Sequence, residues 1–219
     1  MFGLLRSNYF APRDYVSYDM KTGVLRARDG ARLVAFPEQW STGLLAGLED
    51  ECGDAWPVVM HRCGEWWGKR HMERLERELT AYYGSKLTDM PAVQVHATLA
   101  ASFAAHGWGA LSMDVTRIER GVLVARVENA AMAAALLSAK KDAKGRTVDG
   151  LLAGILSGML SQASGGDVGC QEIACAARGD EQCVFVCTEK ARLQEVPAWV
   201  RKQMPAAEIL DRLDAARAP

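Results

Sequence analysis

At 219 residues, 49% of them apolar, the chain is long enough to bury a sizeable core as one domain. Its 26 basic and 27 acidic side chains leave a net charge of -1, which excludes the strong basic field that gathers nucleic acid or an anionic membrane surface. The apolar stretch before Arg6 is too short for a secretory signal, and "LLAGILSGML" at 151–160 is about half a membrane span. No nucleic-acid and no membrane partner is expected, and the protein is expected to be cytoplasmic. In that reducing compartment the six cysteines point to metal or plain burial rather than to a disulfide framework.

In chain order, "TGVLRARDGARLVAF" alternates around Asp29-Gly30, a hairpin signal. After Pro37, "EQWSTGLLAGLEDECG" reads as a helix ending near Gly53. "GKRHMERLERELTAYYG" puts Met72, Leu75, Leu79 and Tyr82 on one helical face and closes at Gly84. Pro91 opens a mostly apolar helix that ends in a glycine, "PAVQVHATLAASFAAHG". "ALSMDVTRIERGVLVARVEN" predicts two strands joined around Glu119 to Gly121, then a short Ala-rich helix from Asn129 and a solvated basic loop, "KKDAKGR".

From Val148, "VDGLLAGILSGMLSQAS" predicts a helix with Leu151, Leu152, Ile155 and Met159 as its apolar stripe. Gly150, Gly154 and Gly158 recur on another face. Each glycine costs a helix on the order of 1 kcal/mol relative to alanine, so the repeat calls for close approach of another backbone. That backbone is either a neighbouring helix or the same helix of a second subunit, and a homodimer is expected through the glycine helix or the face beside it. "VGCQEIACAA" and "QCVFVCTE" predict two strands around Arg178-Gly179-Asp180. From Pro197 the pattern is one amphipathic helix with Ile209, Leu210 and Leu213 on one side.

The last hairpin carries the chemistry. Cys183 and Cys187 lie roughly 13 Å apart along a strand and cannot share one ion, which leaves Cys187 to the core. A hairpin folded about Gly179 brings Cys175 opposite Cys183, with Glu172 one step up the first strand. Because Glu172 and Cys175 are three apart, a regular strand sends them to opposite faces; a shared site requires a bulge or early turn near Ala174. Asp149 is a candidate fourth ligand, and its alternative reading is a helix N-cap. The residues alone leave metal and buried thiols both open.

The 148–188 stretch, with Glu172, Cys175, Gly179, Asp180, Cys183 and Phe185 in place, resembles the C-terminal core of the 4-vinyl reductase domain family. "GVLRARDGARLVAF", "CGEWWGKRHMERL" and "AAHGWGALSMDV" are similar to its upstream portion. The resemblance implies an α+β fold, an antiparallel sheet with packed helices, related to haem-nitric-oxide-binding and vesicle-tethering modules and often dimeric. The expected organisation is an N-terminal extension at 1–14, a ligand-binding domain at 15–190 with its core at 148–188, and a helical tail at 191–219. In the aromatic-responsive activators of that family a structural zinc ion is held at the positions of Glu172, Cys175 and Cys183. The Cys that completes the set there corresponds to Asp149.

The resemblance implies a non-enzymatic sensor or carrier for a small apolar or aromatic molecule, signalling through a separate protein partner. A tetrapyrrole-processing enzyme or accessory protein, or a ligand-free scaffold, are the alternatives. No dinucleotide fingerprint, phosphate loop or Gly-x-Ser-x-Gly elbow is found. The stretch preceding the final helix of the aromatic sensors is here "VENAAMAAAL", so phenol recognition does not transfer residue by residue. Trp66, Trp67, Phe103 and Trp108 supply aromatic surface for a pocket, or simply core. His96, on an apolar helix, could orient a ligand or be a satisfied core histidine.

Overall fold

The computed structural model of the chain describes residues 8–141, 143 and 145–215. The first seven residues of the expected extension, Asp142 and Lys144 of the basic loop, and the last four residues of the tail lie outside the described residues. The chain runs α1 (Pro12–Tyr15), β1 (Val16–Asp19), β2 (Val24–Ala27), β3 (Arg32–Leu33), α2 (Glu38–Cys52), α3 (Trp56–Tyr83) and α4 (Ala92–Ala105). It continues with β4 (Ala110–Asp114), β5 (Leu123–Glu128), α5 (Ala131–Ser138), α6 (Gly150–Ser164), β6 (Val168–Ala174), β7 (Cys183–Glu189), α7 (Val196–Arg201) and α8 (Ala206–Ala215). The result is an α+β fold with two antiparallel sheets, β1-β2-β3 and β4-β5-β7-β6.

The second sheet is buried on both faces, so its inner strands read as apolar runs rather than as alternating ones. Ala125, Val127, Cys183, Phe185 and Cys187 face a core shared with α3, α4 and α6. Val122, Val124, Ile173 and Val186 face a second core closed by Val196, Val200, Ile209, Leu210 and Leu213. The tail therefore belongs to the body. It is two helices rather than the single one expected, because Pro205 and the left-handed Gln203 (φ 56°) interrupt the pattern. Asp214 pairs with Arg117 and with Arg120, the latter at 2.8 Å, and Arg192 donates to the Leu213 carbonyl at 2.6 Å.

α3 begins at Trp56, with Pro57 in its first turn, twelve residues before the helix read from the sequence. The extra turns carry Gly64, and Gly64 and Gly68 lie against the α6 backbone from Leu151 to Ile155. A Cβ on Gly154 would collide with the His61 carbonyl, one on Gly158 with that of Glu65, and one on Gly64 with that of Leu151. The two backbones touch because glycines on both helices leave no side chain at the points of closest approach. The glycine stripe is thus an internal interface, and it is unavailable to a second subunit. Among the described residues no helix is long and apolar enough to cross a membrane.

Candidate metal centre and ligand cleft

β6 pairs with β7 in register from Val168↔Glu189 to Glu172↔Phe185, then skips Ile173 and resumes at Ala174↔Val184. This is the irregularity the Glu172–Cys175 spacing requires: one unpaired residue returns Cys175 to the face of Glu172. The turn beyond it is held by Asp180, whose Oδ2 accepts the Cys175 N–H at 2.7 Å and Arg178 Nε at 2.6 Å. Gly179 supplies the left-handed residue, φ 103°. Arg178 also donates to the Ile173 carbonyl at 3.0 Å, fixing the bulged residue itself.

The ligand atoms of Glu172, Cys175 and Cys183 all lie within 4.8 Å of one another, and the three residues are buried. Asp149 is equally buried and its Oδ2 lies 3.7 Å from Cys183 Sγ, but it is not among the three residues whose ligand atoms are all within 4.8 Å of one another. An oxygen and a sulfur sharing a tetrahedral zinc ion sit roughly 3.6 Å apart. Asp149 occupies the N-cap position of α6 but makes no side-chain cap there. Its carboxylate instead accepts the Met132 and Ala133 N–H groups at 3.3 and 3.2 Å, satisfying the first turn of α5, where Ala130 has no oxygen to offer. Its own N–H donates to Glu172 Oε2 at 2.8 Å.

Four acidic groups share this buried site; their charges oppose one another, while hydrogen bonds among them favour ionisation of Cys175. Burial first, then the neighbouring Cys175 and Asp149, push the Glu172 carboxyl well up. Burial and Cys175 raise Asp149 to about 7. The hydrogen bond from Cys183 holds Cys175 down, at about 6, with help from the Val148 and Ala177 N–H groups, while Cys183 rises. Glu172 Oε1 has no hydrogen-bond partner. Two thiols, two carboxylates and an orphaned buried oxygen fit a divalent soft-to-borderline cation: it would neutralise the cluster and satisfy Oε1.

Of the aromatic candidates, Trp67, Phe103 and Trp108 come together: Trp67 and Phe103 meet Trp108 edge-on at 4.6 and 5.1 Å. Trp66 is 63% exposed, beneath Arg70. His96 accepts the Met113 N–H at 3.1 Å and does not join the cluster. The histidines that do are His71 and His106, which the sequence singled out least. His71 stacks on Trp67 at 4.3 Å and His106 on Trp108 at 4.7 Å. The i, i+4 spacing of Trp67 and His71 on a helix was the available signal.

Arg74 can only donate, so His71 Nδ1 accepts from it at 3.3 Å and Nε2–H donates to Ser102 Oγ at 3.0 Å. His106 Nδ1–H donates to the Ser102 carbonyl at 2.7 Å, leaving Nε2 to accept the Tyr15 hydroxyl at 3.2 Å. Burial, with His106 and Arg74 nearby, lowers His71 to about 3, so it is neutral. Beside it lies a narrow cleft whose enclosed space, about 10 Å³, holds about one water molecule; it is lined by Tyr9, Phe10, Tyr15, Asp29, His71, Arg74, Leu75 and Glu78, and by none of Trp66, Trp67, His96, Phe103 and Trp108. Arg74 Nε pairs with Asp29 at 3.1 Å.

Residues 123–189 match the 4-vinyl reductase domain family. No curated protein matches the chain. Among solved structures, the phenol-responsive sensory domain of the transcription activator PoxR, with phenol, is 16% identical with a TM-score of 0.68, over 93% of this chain and 100% of that one. A trafficking protein particle complex subunit 3 from Naegleria fowleri, covalently bound to palmitic acid, is 12% identical with a TM-score of 0.50, over 70% and 92% of the two chains. A vinyl-4-reductase family protein from Methanocaldococcus jannaschii gives 18% identity and a TM-score of 0.47 over 72% and 83%. At these identities the likeness is one of fold.

Proposed function

We propose that this chain, whose residues 123–189 match the 4-vinyl reductase domain, is a non-enzymatic sensor or carrier module for a small aromatic molecule. The observation that carries this reading is the cleft beside His71. Tyr9, Phe10, Tyr15 and Leu75 give it apolar walls, and Asp29, Arg74 and Glu78 give it polar groups. Two carboxylates against one guanidinium disfavour an anion, so the ligand class is an uncharged single ring bearing a hydroxyl that donates to a carboxylate. The cleft's enclosed space is far below the roughly 300–1,000 Å³ of drug-sized sites, so the Tyr9, Phe10 and Tyr15 rings must part to admit even one aromatic ring. The PoxR domain's phenol supports the same class.

Within this proposal the Glu172, Cys175 and Cys183 cluster holds a structural zinc ion with Asp149 as the fourth ligand. Bound there, zinc supplies cross-linking and charge neutralisation, with no open position for water. Asp149 orders the start of α5, and Glu172 holds the start of α6, so the clip fastens both helices to the β6–β7 hairpin. A separate protein partner would receive the signal; a homodimer stays within the proposal, through a face other than the glycine stripe.

Titration with phenol and with benzoate, read by tryptophan fluorescence and calorimetry, tests the ligand class. Phenol should bind with saturation and benzoate should not, and Arg74→Ala should weaken phenol. Saturable benzoate binding, or no phenol response at millimolar concentration, would contradict it.

A further inference from the structure

Cys170 and Cys187 stand directly opposite each other on β6 and β7, with Sγ atoms 2.9 Å apart. Both are buried, and neither belongs to the Glu172, Cys175 and Cys183 cluster. Alternation puts Cys170 on the same face of β6 as Glu172, and Cys187 on the same face of β7 as Cys183. The thiol pair is thus one same-face step along the ladder from the Glu172↔Phe185 rung. His61 on α3 reaches the Cys170 carbonyl at 3.2 Å through Nε2, so the pair lies under the glycine-packed helices.

A buried cysteine is ordinarily an inert small hydrophobe. Two features set this pair apart. Directly opposed residues of an antiparallel ladder keep their Cα atoms roughly 4.5–5.5 Å apart, within the roughly 4.4–6.8 Å that a disulfide spans. The sulfurs therefore need to close by only about 0.9 Å to reach bonding distance, with no change of register. β6 is also an edge strand, paired on one side only, so local opening of the β6–β7 pair is the route by which an oxidant as small as hydrogen peroxide would enter.

We propose that Cys170 and Cys187 are an oxidation site, closing a reversible cross-strand disulfide when the protein meets a peroxide. One sulfur attacks a peroxide oxygen, the O–O bond breaks, and a sulfenic acid and one water result. The second sulfur then attacks the sulfenic sulfur; the S–S bond forms, the S–O bond breaks, and the oxygen leaves with the second thiol's proton as another water. Two thiols are oxidised to one disulfide while one peroxide is reduced to two waters. Both thiols are buried, so this pair reacts more slowly than the exposed Cys63. The bond adds a covalent tie between the strands that carry Glu172 and Cys183, so oxidised protein should release metal more slowly. That consequence rests on the proposed zinc site; the disulfide does not.

The test treats the full chain with hydrogen peroxide, alkylates the remaining thiols, and reads intact mass and fragment ions. The expected result is loss of two hydrogens, reversed by dithiothreitol, with fragments joining residue 170 to residue 187. Cys170→Ala and Cys187→Ala should each abolish that loss, whereas Cys63→Ala, at an exposed thiol outside both clusters, should retain it. Fragments joining 175 to 183 instead, or oxygen addition without a cross-link, would overturn the proposal. The wild-type fragment assignment decides the matter even where a variant fails to fold, and it is independent of whether zinc is present.

Discussion

The backbone N–H of Asp149 donates to Glu172 Oε2 at 2.8 Å across 23 residues of chain, tying the first turn of α6 to the bulged end of β6. The Asp149 carboxylate meanwhile holds the first turn of α5. One residue thereby joins three elements at the point where the thiols converge. Its two duties, helix cap and proposed ligand, can be separated by mutation.

Asp149→Ala strands two buried N–H groups, each costing about 1–3 kcal/mol. Asp149→Asn removes the charge but keeps one acceptor oxygen, so it strands one of the two N–H groups rather than both. In the presence of a chelator, thermal unfolding should show Asp149→Ala well below Asp149→Asn. Equal melting temperatures would mean that the cap contributes nothing.

Gly154→Leu should destabilise the monomer itself, by about 3 kcal/mol or more, because its side chain meets the α3 backbone at His61 and Glu65. Gly43→Ala and Gly47→Ala on α2 are the contrast. Nothing lies within 4 Å of a Cβ at either position, so each should be neutral or stabilising by up to about 1 kcal/mol. Denaturant melts of the three variants check the difference.

Much of this architecture is legible in the sequence, and the reasons differ by element. The irregularity near Ala174 is legible conditionally: if Glu172 and Cys175 share a site, their three-residue spacing requires a bulge or an early turn there. The glycine repeat of α6 likewise announces a close backbone. Its partner does not announce itself: Gly64 and Gly68 stand on the buried face of α3 where apolar side chains would mark it, so the turns before Gly68 are not read as helix. Asp149 reads as a cap for its own helix because sequence shows neighbours, whereas it caps α5 through space. His71 and His106 are 35 positions apart in the sequence, and only the packing of α3 against α4 brings their rings to 5.0 Å.

His71 gives a pH dependence with a definite sign. Its folded-state value is lowered to about 3 from 6.5, so between those values the unfolded chain binds more protons. Stability is therefore full above about pH 6.5 and falls as the pH drops, by up to about 1.4 kcal/mol per unit. His71→Gln should flatten the wild-type decline between about pH 6.5 and 5 in urea titrations. An unchanged slope would place the sensitivity elsewhere.

Deleting residues 205–219 removes α8 and uncovers Val122, Val124, Ile173 and Val186 on the outer face of the sheet. The truncated chain should bind a hydrophobic dye and aggregate, because an exposed apolar face of this kind is a self-association surface. A truncated chain that stays monomeric, with an unchanged melt, would show that α8 contributes little.

The most direct measurement is elemental analysis of the chain purified without chelator, beside Cys183→Ser and Cys187→Ser. The expected result is about one zinc per wild-type chain, since a closed four-ligand site retains its ion through purification. Cys183→Ser should lose the metal together with thermal stability, and Cys187→Ser should keep it. Wild-type protein without zinc, or a Cys183→Ser variant that binds it at full stoichiometry, would contradict the metal centre and leave Cys175 and Cys183 as buried thiols.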